Sequence, residues 1–203
     1  MRITTSWIRG RFITGLALCA LLILFAGRGM AAQSAQPMVK LTTNKGDIVL
    51  ALDPVRAPVT VENFLKYVKS GYYNGLIFHR VIDGFMIQGG GLDKDLKEKP
   101  GQLPPIKNEA ANGLKNTAYT VAMARTSAPD SATSQFFINV KDNVPLDHVD
   151  DSGRGMGYAV FGKVVKGQDV VDAIKKVRTG SRNGFDDVPL EPVVIERAEI
   201  VSK

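Results

Sequence analysis

Short β-type runs recur along this chain from Val39 to Val201, and only two stretches carry helical spacing. That imbalance constrains the fold most tightly, because strands must pair and an open sheet leaves edges that invite aggregation. Residues 39–43 and 48–52 read as a hairpin around Asn44-Lys45-Gly46-Asp47, with Gly46 free to take a positive φ. Further strands are expected at 77–82, 85–88, 119–125, 135–140, 159–165 and 193–201. Val61, Phe64, Leu65 and Val68 recur at helical spacing, with Thr60 as N-cap and Gly71 just beyond the C-terminus. A second helix is expected near 169–177. Many short strands with two helices predict a mostly β protein, a closed antiparallel β-barrel with a helix packed over each end.

The N-terminus reads differently from the rest. Arg2, Arg9 and Arg11 accompany a 15-residue apolar run over 12–26, no acidic residue precedes Asp47, and Gly29-Met30-Ala31-Ala32 supplies small residues. These are the parts of a signal peptide over 1–32, cleaved after Ala32 or Ala31. A short polar linker over 33–37 and one domain over 38–203 would follow. The apolar run is shorter than the roughly 20 residues that span a bilayer. Export is therefore expected, with an uncleaved N-terminal anchor as the alternative and membrane contact only through the leader.

Cleavage changes the charge argument. Arg2, Arg9, Arg11 and Arg28 are four of the 26 Lys and Arg, so 22 would face 20 acidic residues, a net charge of +2 in place of +6. No basic stretch beyond the leader alternates with aromatics, so nucleic-acid binding is not expected. The lone Cys19 also lies in the leader, preceded by Leu18 where a lipoprotein would carry a small residue. Without a thiol after cleavage, the domain is expected to depend on packing, not disulfides.

The segment from Phe78 to Gly90 carries the most chemistry, with Arg80 and Gln88 set among large apolar residues. Strand alternation puts Phe78, Arg80 and Ile82 on one face, and Phe85, Ile87 and Gly89 on another. An arginine in such a run costs free energy unless its guanidinium finds partners or a ligand. A second block, Ala122-Met123-Ala124-Arg125 followed by Ser134-Gln135-Phe136-Phe137-Ile138-Asn139, stands at a telling distance. With Val61-Glu62-Asn63-Phe64 and Tyr158-Ala159-Val160-Phe161-Gly162-Lys163-Val164, these blocks resemble the cyclophilin peptidyl-prolyl isomerases, in particular their exported bacterial branch.

The resemblance implies an eight-stranded barrel capped by two helices and an isomerase that needs no cofactor and no metal. It implies Arg80 and Gln88 as catalytic residues. Phe85, Met86, Phe137 and Leu146 match the proline pocket, Ala124 and Arg125 the strand edge that pairs with an extended peptide, and Gln135 and Tyr158 further groove positions. The implied partners are proline-containing unfolded or folding polypeptides, bound by a monomer, and the resemblance to periplasmic forms implies the periplasm, with secretion as the alternative. A proline-peptide-binding holdase with little turnover is the alternative. Three positions depart from the eukaryotic pattern: Pro145 replaces a tryptophan, Tyr158 a histidine and Arg125 an asparagine. Weak cyclosporin binding is the consequence expected.

Other chemistries find little support. His79 neighbours Arg80 on the opposite strand face and is expected to be a satisfied packing residue. His148 lies in the polar run Asp147-His148-Val149-Asp150-Asp151, read as a solvated turn. Gly153-Arg154-Gly155-Met156-Gly157 lacks the residues of a phosphate loop and reads as a flexible connection. The polar stretch 92–116 is expected to cross the barrel surface and help frame a groove.

Overall fold

A computed structural model describes residues 36–202. The predicted signal peptide, its cleavage point and most of the 33–37 linker lie outside the described residues. Along the chain run β1 (Met38–Thr43), β2 (Gly46–Leu52), α1 (Pro58–Lys69), β3 (Leu76–Ile82), β4 (Met86–Asp93), β5 (Thr120–Met123) and β6 (Phe136–Asn139). Then come β7 (Val160–Lys166), α2 (Gln168–Ile174), β8 (Thr179–Arg182), β9 (Phe185–Pro189) and β10 (Ile195–Val201). Eight strands form one antiparallel sheet in the order β10-β1-β2-β7-β5-β6-β4-β3. The sheet curls until its ends meet. An Ile77–Val194 bridge and the bonds Phe78 N–H to Val193 O (2.9 Å) and Gly75 N–H to Ile195 O (2.8 Å) join them. The predicted β-barrel is thus present, with its eight strands.

Alternation along the strands sends one set of side chains inward. Leu41, Leu50, Phe78, Ile87, Phe136, Ile138 and Phe161 are all fully buried there. Val61, Phe64 and Val68 of α1 and Val171 and Ile174 of α2 pack into the same core, as their spacing predicts. Phe64 is its hub, with ring centroids 5.1 Å from Phe161, 5.2 Å from Tyr73 and 5.5 Å from Phe136.

Helix α1 starts earlier than predicted. Pro58 occupies its first turn and Ala57, not Thr60, is the N-cap. Proline suits that position because its missing N–H would have no helical partner. The orphan donors of the first turn are met from afar: the Glu109 carboxylate accepts from Val59 N–H (3.1 Å), Thr60 N–H (2.8 Å) and the Thr60 hydroxyl (2.7 Å). Segment 92–116 is therefore tied to the barrel and not merely laid over it.

The β8–β9 hairpin is a finding beyond the sequence reading. It turns at Asn183 and Gly184, both at positive φ (52° and 81°), the geometry of a tight two-residue hairpin turn. Its Val188 packs with Ile77, Leu92 and Leu96 in a second small apolar cluster beside the end of the sheet.

Candidate active site

Register places the site. Across neighbouring strands Arg80 stands opposite Gln88, Gln88 opposite Phe137, Phe137 opposite Ala122 and Ala122 opposite Val160. This row faces away from the core: Phe136 and Ile138 point inward, and Phe137 between them points out. Phe137, Met86, Ala122 and Val160 form their own buried cluster, against which Ile82, Phe85, Ala124, Leu146 and Tyr158 pack. The resulting groove, a cavity of about 670 Å³, brings together all ten residues singled out from the sequence. Leu92, Leu96 and Glu98, from the segment expected to frame a groove, line it too, as do five residues not assigned to it: His79, Gly184, Phe185, Asp186 and Asp187.

Three sequence expectations need correction. Phe78 and Arg80 do not share a face, because β3 carries a bulge: Phe78 lies opposite Gly89 while Arg80 lies opposite Gln88. The extra residue lets Phe78 stay in the core and turns Arg80 out to the groove. Likewise Ile87 is a core residue, whereas Phe85 joins the groove. Nor is His79 satisfied. It is buried, its Nδ1 has no hydrogen-bond partner, and it lines the same cavity as Arg80. Burial and then the Arg80 charge push its pKa down from 6.5 to about 4, against a small opposing pull from the Ile77 carbonyl. At neutral pH His79 is uncharged, leaving Arg80 as the cation at this end of the groove.

The polar groups have defined partners. Gln88 Nε2 donates to Gln135 Oε1 at 2.9 Å, so the two amides form one polar strip along the groove. The close approach depends on Gly91, where an added Cβ would lie 2.5 Å from Gln135 Cγ. Arg80 has an acidic partner, Asp187, with Nε 3.7 Å from Oδ2. Ala124 N–H donates to Gln135 O at 3.0 Å, so a peptide pairing with this edge must use other main-chain groups.

Arg125 does more than mark an edge. Its Nε donates to Gly157 O (2.9 Å), Nη1 to Thr126 O (2.9 Å) and Nη2 to Gly153 O (3.2 Å), while its guanidinium lies 4.8 Å from the Tyr158 ring centroid. Segment 153–157, expected as a flexible connection, is thereby pinned. Tyr158 meets Phe137 edge-on at 5.7 Å and completes the apolar wall. His148 Nδ1 lies 3.1 Å from Met156 O, within the same pinned turn.

Behind that wall runs a buried amide network. Asn143 Nδ2 donates to Phe85 O (2.8 Å) and Asn139 Oδ1 (2.7 Å), Asn139 Nδ2 to Asn116 Oδ1 (3.2 Å), and Asn116 Nδ2 to Leu146 O (3.0 Å). The network thus ties the backbone of two apolar-pocket residues, Phe85 and Leu146, to one frame. Asn143→Ala would leave the buried Asn139 Oδ1 unpaired, while Phe85 O keeps its bond from Val140 N–H, and should destabilise the protein by about 1–3 kcal/mol. Urea unfolding checks this; an unchanged midpoint would contradict it.

The fold and groove define a class: a β-barrel that carries an apolar pocket beside a guanidinium in one open groove. Comparison with known proteins identifies it. The family model described as "Cyclophilin type peptidyl-prolyl cis-trans isomerase/CLD" matches residues 38–200. The peptidyl-prolyl cis-trans isomerase cyp18 of Streptomyces antibioticus is 63% identical over 163 residues, 80% of this chain and 98% of that protein. Peptidyl-prolyl cis-trans isomerase A of Dickeya dadantii is 54% identical over 187 residues, 92% and 96% of the two chains. A cyclophilin type isomerase of Cryptosporidium parvum, crystallised in the presence of the dipeptide Ala-Pro, superposes with a TM-score of 0.67 at 28% identity, covering 82% of this chain and 99% of that one. The chain belongs to the cyclophilin-type peptidyl-prolyl cis-trans isomerases.

Proposed function

We propose that this isomerase acts on X-Pro bonds of exported proteins as they fold in the periplasm, with Arg80 stabilising the twisted amide. An X-Pro bond rotates slowly because amide resonance must be broken, at a barrier of roughly 18–20 kcal/mol. No nucleophile is needed to lower it. A catalyst must bind the twisted amide better than either planar form. On twisting, the prolyl nitrogen regains its lone pair, and a fixed cationic donor beside it favours that state. The observation that carries this reading is that Arg80 and the pocket of Phe85, Met86, Phe137 and Leu146 line one cavity. Gln88 and Gln135 offer amides to the peptide backbone along the way.

The slow, proline-limited refolding of an exported protein should accelerate with catalytic amounts of this chain. Binding to the unfolded protein with no acceleration would favour the holdase role instead. The leader reading predicts a mature form beginning near Gln33, which N-terminal sequencing of a periplasmic extract would detect. Cyclosporin should inhibit weakly, because Pro145 offers no indole surface or donor. A low-nanomolar inhibition constant would contradict that expectation.

A further inference from the structure

We propose that Asp187 is a positioning residue for Arg80, an ionic brace supplied by the β8–β9 hairpin; this rests on the catalytic role proposed for Arg80. Three independent features converge on it. In β8 Gly180 lies opposite Val188, and Arg182 opposite Phe185, so β9 spends two residues, Asp186 and Asp187, against the single Ser181. Such a bulge re-aims a side chain. Asp187 also sits at φ +58°, a left-handed conformation uncommon outside glycine and tolerated best by Asn and Asp. Strain of this kind gathers at functional sites. Finally, the bulge in β3 turns Arg80 toward the same groove, and the two side chains meet at 3.7 Å.

The neighbouring groups leave this pairing uncontested. Asp186, next in the chain, accepts from the Ser181 hydroxyl at 2.6 Å and is held locally. Gln88 gives its amide N–H to Gln135. Asp187 approaches Arg80 at Nε, the inner nitrogen, so the two terminal nitrogens stay available to the prolyl amide. Arg80 is a long, rotamer-rich side chain with 43% of its side-chain surface exposed, and without a partner it would sample many geometries. Holding it in one arrangement before substrate arrives matters in the transition state, where donor placement decides the rate.

The test compares full-length wild type, Asp187→Asn, Asp187→Glu and Arg80→Ala on an uncharged Ala-Pro peptide. Asn keeps the size and the left-handed conformation but removes the charge. If it does not fold, Asp187→Gly, which takes that conformation freely, replaces it. The neutral variant should lose roughly three- to fivefold in kcat/KM, borne by kcat and not KM. The Glu variant should recover part of the loss, and raising salt should narrow the gap, because an exposed pair is screened. Equal or faster turnover in the neutral variant, with Arg80→Ala crippled, would overturn the brace alone. Full activity in Arg80→Ala would instead overturn the role of Arg80 on which the brace depends.

Discussion

Arg80→Ala should slow isomerisation of a short Ala-Pro peptide by about 10²–10³-fold, the cost of removing one preorganised electrostatic donor. The loss should fall on kcat. The apolar pocket of Phe85, Met86, Phe137 and Leu146 is built from other strands and loops, so ground-state grip on the proline ring survives. The fold should survive as well, because the Arg80 side chain is 43% exposed and its ionic partner Asp187 is 40% exposed. Exposed pairs of this kind contribute about 1 kcal/mol or less to stability. Arg80→Lys keeps a charge but loses the planar fork, and should recover only part of the activity. Progress curves for the three proteins, alongside their urea midpoints, check the prediction. An alanine variant within threefold of wild type would contradict it.

The second large effect is on stability against acid. Burial first, and the adjacent Arg80 second, lower the His79 pKa from 6.5 to about 4. Between those values the unfolded chain takes up a proton that the folded protein refuses. Stability is therefore fully present above about pH 6.5, falls as pH drops through that window, and levels off for this residue below about 4. A shift of this size corresponds to about 3 kcal/mol across the window. His79→Gln removes the titrating group, so its stability should fall less steeply between pH 7 and pH 4.5. Urea midpoints at the two pH values measure the difference. Parallel losses in wild type and variant would show that His79 does not carry the effect.

Both predictions concern neighbours in a strand whose outline was legible and whose facing was not. The apolar run around Arg80 announced a strand and a site, but period-2 alternation put Phe78 and Arg80 together. One bulge separates them, and no residue type in Phe78-His79-Arg80 signals it. The same gap hid the environment of His79, which is buried in the cavity beside Arg80. Strand β4 runs on to Asp93, past its predicted end at Gln88, through Gly89-Gly90-Gly91, which carry no side chains to show an alternation. In the structure these glycines continue the strand beneath tight neighbours, Gln135 over Gly91 among them.

The groove itself was more readable than its surroundings. Phe136-Phe137 gave two adjacent aromatics, and a strand must send one to the core and the other outward. Resemblance assigned Phe137 to the groove, and the register agrees. Long-range polar partners were not readable: Glu109 at the start of α1, Asn116 with Asn139, and Asn143 with Phe85 O join residues far apart in sequence. The hairpin bearing Asp187 did leave a signal. Asn183-Gly184 is a strong turn pair, but Thr179–Arg182 is polar and mostly exposed, and Phe185–Pro189 buries only Val188 and Pro189, so neither strand shows apolar alternation.

The central claim is that this groove turns the X-Pro bond over and does so through Arg80. Exchange spectroscopy on a proline peptide at equilibrium tests it most directly, because binding and turnover appear as separate signals. With a small fraction of wild-type protein, cis and trans resonances should show exchange cross-peaks that the free peptide lacks. With Arg80→Ala, binding shifts should persist while the cross-peaks fade. Shifts without exchange in the wild type, or equal exchange in the two proteins, would contradict the account.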